Sequence, residues 1–219
     1  MALHPPLWSS RSQAGLALAD RLRTRLGAGE PSTVIALPRG GVPVAVAVAQ
    51  VLQLPLATWS VRKVADPQWP ELAIGAIASG GVAVWRNGEG AERRQALARR
   101  QGWLHAQEQE LVRRQQLFGD PRPEVLKAHH LIVVDDGIAT GMTVKAALLS
   151  LAQVQPRSLT LAVPVLDRTV AQDLGGLVDQ LVALAIVDNL EAVGMWYKHF
   201  NQLSDLEVLK LLAPWSQRS

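Results

Sequence analysis

The chain has 219 residues, 48% of them apolar and 19% charged, with no cysteine and a formal net charge of +3. Such a composition excludes a disordered protein, and the length predicts one domain with core enough to need no covalent staples. The absence of cysteine excludes a disulfide framework, a cysteine-based zinc site and a thiol nucleophile together.

The charge is unevenly spread. Residues 11–25 carry four Arg against Asp20, and 91–118 carry six Arg against three Glu. Solvated helix faces are the plainer explanation, and contact with an anionic partner the sharper one. Met1 to Ser10 has two prolines and no basic cluster, so no secretory signal is expected. No charge falls between Arg39 and Arg62, but Gly40, Gly41, Pro43, Gln50, Gln53 and Pro55 interrupt the stretch. A spanning helix needs ~20 mostly apolar residues, so this segment reads as buried helix and strand, and a cytoplasmic protein without a membrane partner is expected.

Leu16, Ala19, Leu22 and Leu26 predict a helix over 12–26, stopped by Gly27 and Gly29. Thr33–Leu37 reads as a buried strand, Val42–Leu52 as a buried helix with Pro43 in its first turn, and Leu56–Arg62 as the next strand. That order suggests a parallel βαβ unit. Pro67 and Pro70 mark a loop, after which 73–79 and 82–86 flank Gly80-Gly81 as a hairpin. Residues 91–118 read as one long amphipathic helix with Leu97, Leu104, Leu111 and Phe118 seven apart, packed on a sheet.

The remaining pattern is strand 130–134, a polar loop 135–143, helix 144–154, strand 159–165, helix 167–174 and strand 181–187. Ser204-Asp-Leu-Glu207 is a capping box for a last helix to Leu212. The whole predicts an α/β fold with a twisted, mainly parallel sheet and helices on both faces.

Ligands of such sheets bind beyond the carboxyl ends of the strands. Three of those ends carry unusual residues: Pro38-Arg39-Gly40-Gly41, Arg62-Lys63, and Asp135-Asp136-Gly137-Ile138-Ala139-Thr140-Gly141-Met142-Thr143. In the third, Thr140, Gly141 and Thr143 stand directly before a helix, where free amides, the helix dipole and two hydroxyls form a phosphate cradle. The two aspartates just upstream would repel an anion by ~4 kcal/mol at ~4 Å. That conflict disappears for a ligand that turns hydroxyls or Mg²⁺ to the carboxylates and phosphate to the loop, as a sugar phosphate does. Neither a Walker A loop nor a dinucleotide fingerprint fits the spacing.

Val133-Val-Asp-Asp-Gly-Ile-Ala-Thr-Gly-Met-Thr143 resembles the 5-phosphoribosyl-1-pyrophosphate (PRPP) signature of type I phosphoribosyltransferases. Leu37–Pro43 matches the pyrophosphate-loop position of that family. The set 61–63, 70–76 and 192–197 resembles one branch of it. The resemblance implies a five-stranded parallel core over about 30–187, a flexible loop and hairpin over about 64–90, and a small hood from about 1–29 and 188–219, all within a single domain.

It further implies residue roles. Ala139, Thr140, Gly141, Met142 and Thr143 would hold the 5-phosphate, and Asp135 and Asp136, with Gly137 beside them, the ribose hydroxyls and Mg²⁺. Arg39, Gly40 and Gly41 would hold pyrophosphate, in a loop that in this family often carries a non-proline cis peptide. Lys63 would neutralise the leaving group. Glu71 has an open role, and Trp196 and Tyr197 would either stack on a base or form hood core. His129 and His130 read as structural, and the histidines show no metal-ligand spacing.

The expected activity is Mg²⁺-dependent transfer of ribose 5-phosphate from PRPP to an acceptor nitrogen, with a nucleobase as acceptor and pyrophosphate as product. Ala139 stands where 6-oxopurine transferases usually carry an acidic base, which argues against hypoxanthine, guanine or xanthine. The Ala-Thr-Gly loop is similar to adenine and uracil transferases. The resemblance also implies a homodimer. The alternative is a PRPP-sensing regulatory protein without turnover, whose Arg-rich helices would permit nucleic-acid binding. Nucleic acid is not the expected partner, because no helix-turn-helix or zinc-finger pattern is visible. Hydrolysis of a phosphorylated sugar is a third reading.

Overall fold

The structure is a computed structural model that describes residues 6–25, 31–69 and 73–215. Ser10 opens α1 (Arg11–Arg23) by accepting from the Gln13 amide, as an N-cap serine does. β1 (Ser32–Ala36) runs into a turn and then α2 (Gly41–Leu52), whose first nine residues are all buried. This explains the uncharged stretch: α2 is covered by α1 on one side and the sheet on the other.

Where one strand is expected over 56–62, the chain forms two. β2 (Leu56–Thr58) pairs with β1, and β3 (Val61–Ala65) belongs to a different sheet. Side chains at the junction cause the break. Trp59 turns inward to 2% exposure with its indole N–H on Ser150 Oγ at 3.1 Å, and Ser60 donates through its amide and hydroxyl to Asp120. Lys63 therefore lies inside β3, not at the end of a core strand.

β4 (Ala73–Ala78) and β5 (Val82–Trp85) complete an antiparallel sheet in the order β3-β4-β5. Gly80 and Gly81, both at φ 73°, make the expected hairpin turn. Pro70 to Leu72, and with them Glu71, lie outside the described residues. The expected single helix over 91–118 is divided into α3 (Ala91–Arg100) and α4 (Trp103–Phe118) by Gly102 at φ 74°. The left-handed glycine turns the chain, and Leu111 and Phe118 are the two seven-spaced residues that are fully buried.

After the short α5 (Pro123–Leu126), β6 (His130–Val134), α6 (Met142–Ala152), β7 (Ser158–Asp167), α7 (Arg168–Gly175) and β8 (Gln180–Val187) follow in βα alternation. The main sheet has five parallel strands in the order β2-β1-β6-β7-β8, flanked by helices, as expected. Its three central strands, β1, β6 and β7, are buried on both faces, which is why they read as unbroken apolar runs. A 3₁₀ turn at Val193–Trp196 precedes α8 (Asp205–Leu212), where Ser204 and Glu207 form the reciprocal capping box.

α1 and α8 both pack against α2, so most of the termini expected in the hood build the core layer on that face. What stands over the carboxyl edge of the sheet is a smaller strip. Trp8 bridges to Tyr197, and the amides of Lys198 and His199 donate to the carbonyls of Trp8 and Ser9. His129 and His130 bond Thr33 and Ser158 between strands, a structural role.

Candidate active site

The parallel sheet brings the ends of β1 and β6 side by side, because Ala36 is in register with Val134. After β1 the chain turns through Pro38-Arg39-Gly40, and the Pro38–Arg39 peptide is cis, as expected for this loop. After β6 it passes through Asp135 and Asp136. The two turns touch: a Cβ on Gly41 would come 2.7 Å from the Val134 carbonyl oxygen and 3.0 Å from Asp135 Cα. Only glycines allow that approach.

The cradle is built by α6. Its N-cap, Gly141, has φ 72°, and no side chain caps the first turn. The leading amides are thus left for an anion, with the positive end of the helix dipole behind them. Thr140 is exposed, and Ala139, Met142 and Thr143 are half-buried around the same turn. The loop is held from behind by β7, since the Ile138 amide donates to the Val165 carbonyl at 2.9 Å and the Asp167 amide to the Ile138 carbonyl at 3.0 Å.

The acidic pair is asymmetric. Asp135 Oδ1 accepts from the Asp136 amide at 2.9 Å. Asp136 Oδ2 accepts from Arg11 Nε at 2.7 Å, and its carbonyl accepts from the Tyr197 hydroxyl at 2.5 Å. Burial raises the pKa of both carboxyls; the neighbouring charge of Asp136 pushes Asp135 higher still, while Arg11 opposes the rise at Asp136. Burial, and then the charge of Asp136, also pushes the Tyr197 hydroxyl up, so it remains a donor.

Sequence reasoning missed Arg11, which lies 125 positions from Asp136 in the chain. It also missed Asp167, whose carboxylate accepts from the amides of Thr169, Val170 and Leu190. Those bonds, led by the one from Leu190, lower the Asp167 pKa. Nothing in the sequence signals Arg11. Asp167 carries a weak signal, as an aspartate just before a helix.

Tyr197 is 5% exposed, in ring contact with Trp8 and Phe200. Its ring packs between Trp8 and Phe200 as core of the strip over the sheet edge. Trp196 is half-buried beside it. Arg39 turns its guanidinium to Asp205 of α8 at 3.5 Å. Arg62 and Lys63 leave β3 on opposite faces. Lys63 is exposed in register with Ala76, on the face that packs against α6, whereas Arg62 forks onto Gln107 of α4 at 3.0 and 2.7 Å. Burial and the nearby Arg114 lower the Arg62 pKa.

Among the described residues no group of three or more His, Cys, Asp or Glu converges as a metal cage. Two adjacent carboxylates whose burial disfavours charge nevertheless suit a hard divalent cation that keeps waters and takes its other oxygens from a substrate. The residues fit Mg²⁺ on those terms. No helix among the described residues is long and apolar enough to cross a membrane.

The parallel sheet, the touching loops and the uncapped start of α6 meet at the carboxyl edge of the strands. The phosphoribosyl transferase domain model matches residues 13–174, and the chain belongs to the type I phosphoribosyltransferase family. It is 39% identical over 207 residues to two Mycobacterium tuberculosis proteins (strains CDC 1551 / Oshkosh and ATCC 25618 / H37Rv), each carrying the name "Putative phosphoribosyl transferase". The match covers 94% of this chain and 46% of those relatives, so the chain spans about half their length. The crystal structure of TT1426 from Thermus thermophilus is 34% identical, with TM-score 0.72 over 95% of this chain and 98% of that one. AQ2163 from Aquifex aeolicus, 12% identical with TM-score 0.52 over 84% of this chain and 78% of that one, shares the fold.

Proposed function

We propose that the protein transfers ribose 5-phosphate from PRPP to a nitrogen of a nucleobase acceptor and releases pyrophosphate. The observation that carries this reading is the contact between the two loops. The turn after β1 and the acidic pair after β6 meet across adjacent strands, with the uncapped start of α6 beyond them. That order matches the three parts of PRPP, namely pyrophosphate, ribose diol and 5-phosphate.

Cleavage of the anomeric C–O bond builds positive charge on the sugar and negative charge on the departing pyrophosphate, while the acceptor nitrogen bonds to the anomeric carbon and gives its proton to solvent. Thr140, Thr143 and the amides from Ala139 to Thr143 fix the 5-phosphate and so the ribose, which converts an encounter into an oriented attack. The Gly40 amide and the Lys63 ammonium receive the growing charge on pyrophosphate, while the Gly41 amide is held by the Leu37 carbonyl at 3.1 Å. Asp135 is the group that would hold Mg²⁺, with Asp136 fixed behind it by Arg11, and Mg²⁺ when bound supplies a counter-charge for the leaving group. Most of the segment 64–90 is built into the β3-β4-β5 sheet, and the turn at 66–69 is the described part that would exclude water from the activated sugar.

A pyrophosphate-release assay with PRPP, Mg²⁺ and a panel of nucleobases tests this. Base-dependent release is expected, with adenine and uracil ahead of the 6-oxopurines because of Ala139. No release with any base, together with no binding of PRPP, would overturn the assignment.

A further inference from the structure

We propose that the two carboxylates of the acidic pair do different work and that Arg11 separates them. Arg11 is a positioning residue that holds Asp136 as a fixed buttress between hood and pyrophosphate loop, and Asp135 is left to meet the sugar hydroxyls. The inference rests on the sugar-phosphate reading above and assigns labour within it.

Asp136 is held from three directions. From α1, Arg11 Nε donates to its Oδ2 at 2.7 Å, and the two side chains are only 10% and 14% exposed. The same guanidinium donates through Nη1 to the Asn201 carbonyl at 3.0 Å and lies 3.7 Å over the Phe200 ring. From the 3₁₀ turn, Tyr197 donates to the Asp136 carbonyl and stacks on Phe200 with ring centroids 5.0 Å apart. From the turn after β1, Gly40 abuts the carboxylate so closely that a Cβ there would strike Oδ2. Swinging Asp136 toward a sugar would forfeit a charge-assisted hydrogen bond and strand a guanidinium against an aromatic face.

Asp135 is placed differently. Its Oδ1 accepts from the Asp136 amide, which sets its rotamer, and its carboxyl lies in hydrogen-bond contact with that of Asp136. The buttress thus fixes the backbone that aims Asp135. Arg11 opens α1, and Phe200 and Tyr197 belong to the strip over the sheet edge, so the packing of both is transmitted to the sugar-binding carboxylate through Asp136.

Binding of ribose 5-phosphate and of 2-deoxyribose 5-phosphate, measured by titration calorimetry, separates the roles without requiring turnover or metal. The wild type should prefer the hydroxylated sugar by about tenfold, the worth of one hydrogen bond to a charged group. Asp135→Ala should erase that preference. Asp136→Ala and Arg11→Met should weaken both sugars alike and keep the preference, and the double variant should be no weaker than either single one, because they remove the same contact. Arg11→Lys should recover part of the loss. Asn in place of Ala at either aspartate gives the same ordering with smaller spread if an Ala variant does not fold. A preference erased by Asp136→Ala, or erased equally by both aspartate variants, overturns the division of labour while leaving the sugar-phosphate site standing. Failure of the wild type to bind either sugar removes that site itself.

Discussion

Gly40 and Asp136 meet with no space for another atom: a Cβ added to the glycine would collide with the carboxylate of the aspartate. The turn after β1 and the acidic pair are therefore positioned by each other. Gly40→Ala should displace Asp136 by a fraction of an ångström or more, and misplacement of this order lowers rates by up to about a hundredfold. Pyrophosphate release by Gly40→Ala is expected to fall by about that factor, with a smaller drop in Tm. Unchanged turnover would mean the contact has no functional weight.

Asp135→Asn retains the shape of the side chain and removes its charge. If the acidic pair faces the ribose and its cation, turnover should fall by about a hundredfold while the melting temperature holds or rises, because burial already disfavours the charged form of this carboxyl. Steady-state kinetics and a thermal melt on the same preparation check both halves.

The opposed faces of β3 separate Lys63 from Arg62. Lys63→Ala should lower kcat for pyrophosphate release by about ten- to a hundredfold with little effect on Tm, as loss of a leaving-group cation does. Arg62→Ala should instead cost about 1–3 kcal/mol of stability through the lost fork to Gln107. Denaturant unfolding and initial rates on both variants distinguish them, and a reversed pattern would contradict the assigned register.

Asp167 provides a pH-dependent clamp at the hood. Its folded pKa lies below the ordinary carboxylate value because the Leu190 amide, then those of Val170 and Thr169, hydrogen-bond the charged form. A depressed pKa adds stability that is fully present above the unfolded value of ~3.9 and is lost as pH falls through the folded value. Asp167→Ala should cost about 1–2 kcal/mol at neutral pH, the usual effect of losing an N-cap. The difference from wild type should shrink as pH falls below about 4 and through the lowered folded value, which Tm measured across an acid series reads directly.

Periodicity found the strands and helices of the main sheet, because strands buried on both faces and helices packed on them leave unmixed apolar patterns in the chain. It failed at two junctions. Trp59-Ser60 ends one sheet and begins another through bonds to Ser150 and Asp120, both remote in sequence. Gly102 breaks an amphipathic run that periodicity alone carries straight through.

The local chemistry of the phosphate cradle was already fixed by the order of residues from Asp135 to Thr143, since amides at a helix start, a left-handed glycine and neighbouring carboxylates are consequences of short-range geometry. Which carboxylate takes Arg11, which side of β3 faces α6 and what secures Asp136 depended on the folded chain. Those answers come from Arg11, Tyr197 and Gly40, brought together from distant positions by the parallel sheet and the hood. A hydrogen bond spanning 125 residues has no local signature; only the packing that offsets its ordering entropy determines its partner.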